Sequence, residues 1–498
     1  MKTEPIWNIN ESTNSFKCLN REISVDVAII GGGITGITTA QLLKNQGFKV
    51  AVLEARQIGH GTTGQSTGNL YMLTEYSLQQ LHDKYDLETI GQVTQARKEA
   101  MEHIQNNVQS FNMECDYQKQ SMFLFESESK IDIEKELSIA SEIGIPLEPL
   151  IAQDFPFNYD KGFVLKNQAQ FNPLTYTQQL AEEINDDNCE IFEDSCIFDI
   201  EEDDDFVYLK TENNKVKARF VVHATHTPKG LLVQYHTTLG PYREYGIGVK
   251  LKNNAYPKGI FWGQFNDRKY SVRTYGDPEN PYLLCIGCMH KVGQAEDNTK
   301  NIKDLEDFAK RHFEVESINF VWGGQNYKSA DMLPYIGLKT SGSKEYIATG
   351  FSTDGLVYGT VAAKIISDAI AGLENPFSEI FKANRHQPLK AALDFTKETV
   401  NVVGKLVGDF FKEGEEESID SLLPDEGKLL QYKDEKCAVY KSSQGEVTVL
   451  SPICPHMGCT VDWNKAEKTW DCPCHGSRFD TAGRVIEGPA FHGLKRIE

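Results

Sequence analysis

Val25-Asp26-Val27-Ala28-Ile29-Ile30-Gly31-Gly32-Gly33-Ile34-Thr35-Gly36 is the stretch on which the fold turns. A short β-branched run meets glycines at once, and the helix-like Ile34 to Gln46 and a second apolar run, Phe48 to Leu53, follow. Strand, glycines, helix and strand in that order open a doubly wound α/β domain. The glycines form a G-x-G-x-x-G, in which Gly31, Gly33 and Gly36 let the backbone approach a pyrophosphate at a helix N-terminus. Glu54 ends the second strand eighteen residues after Gly36, where an acidic side chain takes ribose hydroxyls. A dinucleotide is expected over residues 25–56.

Further out, Gly59 to Gly68 is a loop too glycine-rich for an ordinary crossover. Asp331 to Gly337 and Gly350 to Gly355 lead into a helix-like stretch, Val361 to Ala371. Strand-rich pieces at Phe206–Leu209, Phe220–His223, Gly246–Leu251 and Tyr282–Ile286 lie between, with polar helical stretches such as Leu87 to Phe111. The order suits one α/β domain over 1–385 with a strand-rich insertion within about 236–325 and a second glycine segment over 331–373. An amphipathic stretch and an acidic connector, 386–421, then lead to a small all-β domain over 422–498.

Composition narrows the function. The 498 residues are 40% hydrophobic and 25% charged, as in ordinary globular proteins. Asp and Glu outnumber Lys and Arg, 72 to 51, for a net charge of −21. Such a surface repels phosphate backbones and anionic lipid heads, so no nucleic-acid partner is expected. No apolar run reaches the roughly 18–20 residues of a membrane helix. The start, Met1 to Asn20, lacks the apolar core of a signal peptide, and a cytoplasmic location is expected.

Four of the eleven cysteines crowd into the last fifty residues, as Cys454-Pro455-His456-Met457-Gly458-Cys459 and Cys472-Pro473-Cys474-His475-Gly476-Ser477. Paired Cys and His half-sites suit a [2Fe–2S] cluster with one iron on thiolates and the other on imidazoles. The same donors also bind zinc, which leaves two cysteines and the Gly-Ser without a purpose. Cys285 and Cys288 form a C-x-x-C within an apolar, strand-like run and read as buried small hydrophobes.

This C-terminal stretch resembles the Rieske domain from about Leu422 to Glu498. The resemblance assigns Cys454 and Cys472 to one iron, His456 and His475 to the other, and a disulfide to Cys459 and Cys474, as in quinol-oxidising Rieske proteins. Ser477 matches a hydroxyl bonded to a bridging sulfide, and Gly488-Pro489 matches the third cluster loop. Phe479 stands where the family has a tyrosine. That departure removes a donor and implies a lower potential.

The N-terminal pieces together resemble the FAD-dependent D-amino-acid oxidase and glycine oxidase family over about Ser24 to Leu373. The resemblance implies FAD, with Gly31, Gly33, Gly36, Glu54, Arg56, Gly64, Gly350, Asp354 and Gly355 as its binding residues. His223 to His226 matches the family's strand-end turn, and Trp322 to Gln325 a flavin-side segment. Relatives with covalent flavin carry a histidine near the place of Gln65, so non-covalent FAD is expected, with His60 the residue to consider otherwise. Arg243 and Arg273, with Tyr245 and His290, lie where the family binds substrate carboxylates.

A flavin takes two electrons as a hydride and a Rieske cluster passes one at a time, so their fusion steps two-electron chemistry down to single electrons. One dinucleotide fingerprint favours direct substrate oxidation over reduction by NAD(P)H. The acid and paired histidines of a mononuclear-iron oxygenase site are absent from the sequence. The expected activity is dehydrogenation of an amine or amino acid C–N bond, with electrons leaving through the cluster to an external acceptor. The alternatives are an electron-transfer reductase and a redox-sensing module without amine turnover.

Overall fold

The computed structural model describes residues 4–10, 15–127, 132–151, 155–230, 233–236, 238–265, 268–385 and 419–498. The expected amphipathic and acidic segment lies outside them, apart from its last three residues. The opening unit is β1 (Ile23–Ile30), α1 (Ile34–Asn45) and β2 (Val50–Leu53). β1 pairs in parallel with β2 on one side and with β3 (Lys215–His223) on the other. Cys189–Phe192 and Glu345–Thr349 extend this parallel sheet at either side. All four residues of β2 are buried, the pattern of a strand covered on both faces.

A second, larger sheet holds β4 (Leu239–Leu251) and β5 (Val315–Ser329) as neighbours at one side. Next come Tyr282–Lys291, Arg268–Tyr275 and Ile260–Phe265. These strands lie largely in the span expected for the insertion, but the sheet is completed from earlier in the chain. Gln118–Ser127 pairs in parallel with Ile260–Phe265 and antiparallel with Lys161–Gln170. Parallel pairing needs a long crossover, so local pattern does not reveal it.

The C-terminal domain consists of two small antiparallel sheets, Glu426–Tyr432 with Glu435–Lys441 and Val447–Leu450, and four short strands between Asp462 and Glu487. Trp470 and Phe479 are fully buried between its loops. Among the described residues no helix is long and apolar enough to cross a membrane.

Candidate functional site

A cavity of about 1000 Å³ runs from the start of α1 across the face of the large sheet. At its first end the backbone is packed without slack. A Cβ on Gly31, at φ +108°, would sit 2.5 Å from the Ala224 carbonyl oxygen, so β1 and the turn after β3 touch through glycine. Gly33 faces Thr63, whose Oγ1 accepts from the Ile34 amide at 3.1 Å. The Glu54 carboxylate accepts from the amides of Gly32 (2.7 Å) and Arg56 (2.9 Å). Gly31, Gly33, Glu54, Arg56 and Gly355 line the cavity. Gly36, Gly64, Gly350 and Asp354 stand behind its wall; the Gly64 amide donates to Gly59 at 2.7 Å. Asp354 precedes α2 (Gly355–Ala371) but does not cap it. Its buried carboxylate accepts from Tyr71 (2.7 Å) and the Glu75 amide (2.9 Å), and Arg97 lies 3.4 Å away.

The wall over the middle of the cavity is the β4–β5 pair. Tyr242 lies opposite Asn326, Arg243 opposite Gln325 and Glu244 opposite Gly324. Because side chains alternate along a strand, Tyr242, Glu244, Asn326 and Lys328 look into the cavity. Arg243 and Tyr327 look the other way, onto the C-terminal domain, and Gln325, which also touches the cavity, reaches that domain with its amide. There the Gln325 amide donates to the Gly476 carbonyl at 2.8 Å, and the Tyr327 hydroxyl to the His475 carbonyl at 3.3 Å. Gly476, at φ +72°, permits this contact, because a Cβ would meet Pro241 at 2.7 Å and Gln325 Nε2 at 2.9 Å.

Arg243, the first expected substrate anchor, is engaged across this boundary. Its guanidinium forms a fork with Glu467 and lies 3.8 Å from Glu487. Arg478 joins the group through Asp471 (3.0 Å), Glu467 (3.3 Å) and Glu487 (3.6 Å). Burial pushes the Glu467 carboxyl up, but Arg243 and Arg478 outweigh it and bring the group to about 2. Arg273 also lies off the cavity: it is buried, donates to the carbonyls of Gly68 (3.2 Å) and Phe171 (3.1 Å), and stacks over Trp7. His290 bonds Asn298 (3.1 Å) and stacks on Tyr245. Of the four, Tyr245 alone touches the cavity, and its hydroxyl turns away to Glu467 at 3.4 Å. Glu244, which the sequence reading did not single out, faces the cavity beside Arg243.

In the C-terminal domain, Cys454, His456, Cys472 and His475 converge from two loops, each closed by backbone bonds such as Cys454 N to Cys459 O (2.8 Å) and Cys472 N to Ser477 O (2.8 Å). The two thiols are buried and close enough to hydrogen-bond, and the imidazole rings stand 5.0 Å apart. Burial pushes His456 down to about 4 and His475 to about 3, so both rings are neutral, the state in which imidazole ligates metal. His456 donates from Nε2 to the Gly230 carbonyl at 3.2 Å, which leaves Nδ1 bare, and Nδ1 of both rings is buried without a partner. Cys459 and Cys474 are joined as a disulfide. The Ser477 hydroxyl is buried and accepts from the Ala490 amide at 3.2 Å. Ile486 and Glu487, on the strand Val485–Glu487 that leads into the third loop, and Gly488 of that loop also line the long cavity, so both domains build its wall.

The two halves define a flavoenzyme joined to an iron–sulfur domain. The chain belongs to the FAD-dependent oxidoreductase family, whose model matches residues 26–369, and the Rieske [2Fe–2S] domain model matches 415–498. It is similar along its whole length to the Bacillus subtilis protein YhfW, whose own name calls it a Rieske 2Fe-2S iron-sulfur protein, with 29% identity over 99% of this chain and 97% of that one. Over 14% of this chain and 39% of the relative, it is 41% identical to the cytochrome b6-f complex iron-sulfur subunit of Chlorobaculum tepidum. Glycine oxidase from Geobacillus kaustophilus superposes with a TM-score of 0.62 at 17% identity, over 73% of this chain and 99% of that structure, which shows a shared fold. The protein is thus an oxidoreductase with FAD and a Rieske cluster. Its residues fit both groups: bare imidazole nitrogens face two buried thiols, and the cavity opens on a glycine-lined helix start where Gln65 Oε1 is buried without a partner.

Proposed function

We propose that this protein dehydrogenates the C–N bond of an amine or amino acid and passes the electrons singly through its Rieske cluster to an external acceptor. FAD, when bound, supplies a two-electron hydride acceptor, and the [2Fe–2S] centre a one-electron carrier. Gly31, Gly33 and the start of α1 would hold the pyrophosphate, and Glu54 the ribose. Cys454 and Cys472 would hold one iron, His456 and His475 the other. Cys459 lies with Cys472 and Cys474 in a tight sulfur group, but its disulfide leaves it no thiolate to give. Among the proposed ligand set, only Cys454 and Cys472 remain as thiols.

The observation that carries this reading is the shared wall. The strand pair that lines the cavity on one face grips the His475–Gly476 turn on the other, through Gln325 and Tyr327. The β4–β5 pair touches both the cavity and that turn, and Gly230 adds a third contact at His456. The chain's part is to dock the domains, exclude water between them and hold the imidazoles neutral. Anaerobic stopped-flow with a panel of amines and amino acids tests it: flavin absorbance should bleach first and the cluster signal follow within the same chain. A reduced flavin beside a cluster that stays oxidised over many turnover times would overturn the reading.

A further inference from the structure

The cavity needs something that holds substrate, and the expected arginines are elsewhere. Among the described residues its arginines are Arg56, beside Glu54, and Arg268, paired with Asp304 at 2.7 Å. The lysines over the middle of the cavity are also committed. Lys328 pairs with Glu75 at 2.8 Å, and Lys269 donates to the Glu75 carbonyl at 2.8 Å while burial disfavours its charge. Lys161 also lines the cavity, but on a strand five places from β4 in the sheet, so at the β4–β5 wall itself a substrate carboxylate meets only lysines that are already engaged.

The wall offers a carboxylate instead. Glu244 projects from β4 into the cavity, and Asn326 projects from β5 as its diagonal neighbour, roughly 7–8 Å away by strand geometry. Asn326 is 4% exposed, and neither of its amide atoms has a hydrogen-bond partner. An amide that is buried and unused on both sides is costly unless a ligand completes it. Tyr242 supplies aromatic surface beside them, where Lys328 already lies 5.3 Å from its ring centroid, and Trp262, three strands further across the sheet, lines the same cavity with an unpartnered indole nitrogen. Aromatic faces and a carboxylate suit a cation.

We infer that Glu244 and Asn326 form an amine-recognising end of the cavity, and that the substrate is a cationic alkylamine held by its nitrogen and not by a carboxylate. This rests on the cavity being the substrate site of a C–N dehydrogenase. Hydride loss needs the neutral amine, and Glu244 is placed to take the extra proton: one N–H bond breaks, one O–H bond forms, and no electrons change hands. Asn326 then offers its carbonyl oxygen to the remaining N–H.

Two isosteric probes test this on the holoenzyme. tert-Butylammonium has no hydrogen on the carbon bearing nitrogen and cannot be dehydrogenated; pivalate has the same shape with the opposite charge. Titrated calorimetrically and by flavin absorbance, tert-butylammonium should bind at least tenfold more tightly than pivalate. Glu244→Gln should abolish that preference, and Glu244→Asp, which keeps the charge, should retain it. Equal or tighter binding of pivalate, or an unchanged ratio in Glu244→Gln, would overturn the inference. Pivalate preference in an enzyme whose flavin amines still reduce removes this inference alone. Tight amine binding with no flavin reduction by any amine removes the dehydrogenase reading and leaves the site.

Discussion

Arg243 and Glu244 are consecutive on one strand and serve different compartments: Arg243 forks with Glu467 of the Rieske domain, whereas Glu244 lines the flavin-domain cavity. The two-residue period of a strand lets one element both dock a domain and shape a substrate site. Neither task constrains the other.

Glu467→Gln tests the docking face. It leaves buried Arg243 with only the more distant Glu487 at 3.8 Å, against an upper figure of about 3–5 kcal/mol for breaking a buried pair outright. Flavin and cluster content should be unchanged, while electron transfer between them, followed by stopped-flow, slows at least tenfold. Replacing Arg243 and Glu467 together with methionine should recover much of the rate, since an apolar pair leaves no stranded charge. Full-speed transfer in Glu467→Gln would remove this interface from the electron path.

His456→Ala tests the metal assignment. The wild-type protein should carry about two iron and two acid-labile sulfide per chain. The variant should lose both while its flavin spectrum persists, because the ligands sit on two loops of the small domain. Stoichiometric zinc without labile sulfide would contradict the assignment.

Much of this was legible because it is local. The run from Val25 to Glu54 contains its own strand, turn and helix, and the Cys and His pairs lie within two short loops, so spacing alone carries the chemistry. The substrate end is assembled from afar. Glu467 is 224 residues from Arg243, and nothing near Arg243 foretells that its charge is already matched. Arg273 is likewise absorbed by carbonyls of Gly68 and Phe171. Glu244 escaped notice because an acid next to an arginine reads as a local pair, and only the pleat shows that the two diverge.

Gly33→Val should empty the flavin site. Even a Cβ there would lie 3.0 Å from Thr63 Oγ1, and the valine branches extend toward the space where pyrophosphate would sit. FAD content measured after acid release should fall at least tenfold with far-UV circular dichroism unchanged. Flavin fluorescence that stays with precipitated wild-type protein would instead indicate a covalent link, with His60 the first residue to replace.

The Cys459–Cys474 bridge presses on a ligand, since both sulfurs lie within 4.8 Å of Cys472 Sγ and of each other. Burial withholds it from attacking thiolates. Neither cysteine should alkylate in native, cluster-loaded protein without reductant, and non-reducing peptide maps should show them linked. Cys459→Ser should lose cluster absorbance in air several-fold faster, because the two loops are no longer tied. Native labelling of both thiols would refute the bridge.

The pH dependence of amine binding follows from the surroundings of Glu244. Burial raises its carboxyl to about 7, with Lys328 pulling it down and Glu75 and Asp354 pushing it further up. Lys269 shares the cavity. A cation binds the ionised form, whose fraction rises about tenfold between pH 6 and pH 8 for such a group. tert-Butylammonium affinity should therefore climb about tenfold over that range, then level until the amine itself loses its proton. The unliganded fold carries the opposite slope: a raised carboxyl pKa contributes stability below the ordinary 4.5, and it is lost as pH rises through about 7. The gap in Tm between amine-bound and free protein should accordingly widen from pH 6 to pH 8, and Glu244→Gln should flatten both curves. Affinity independent of pH across this window in the wild type would mean that a group other than Glu244 receives the amine.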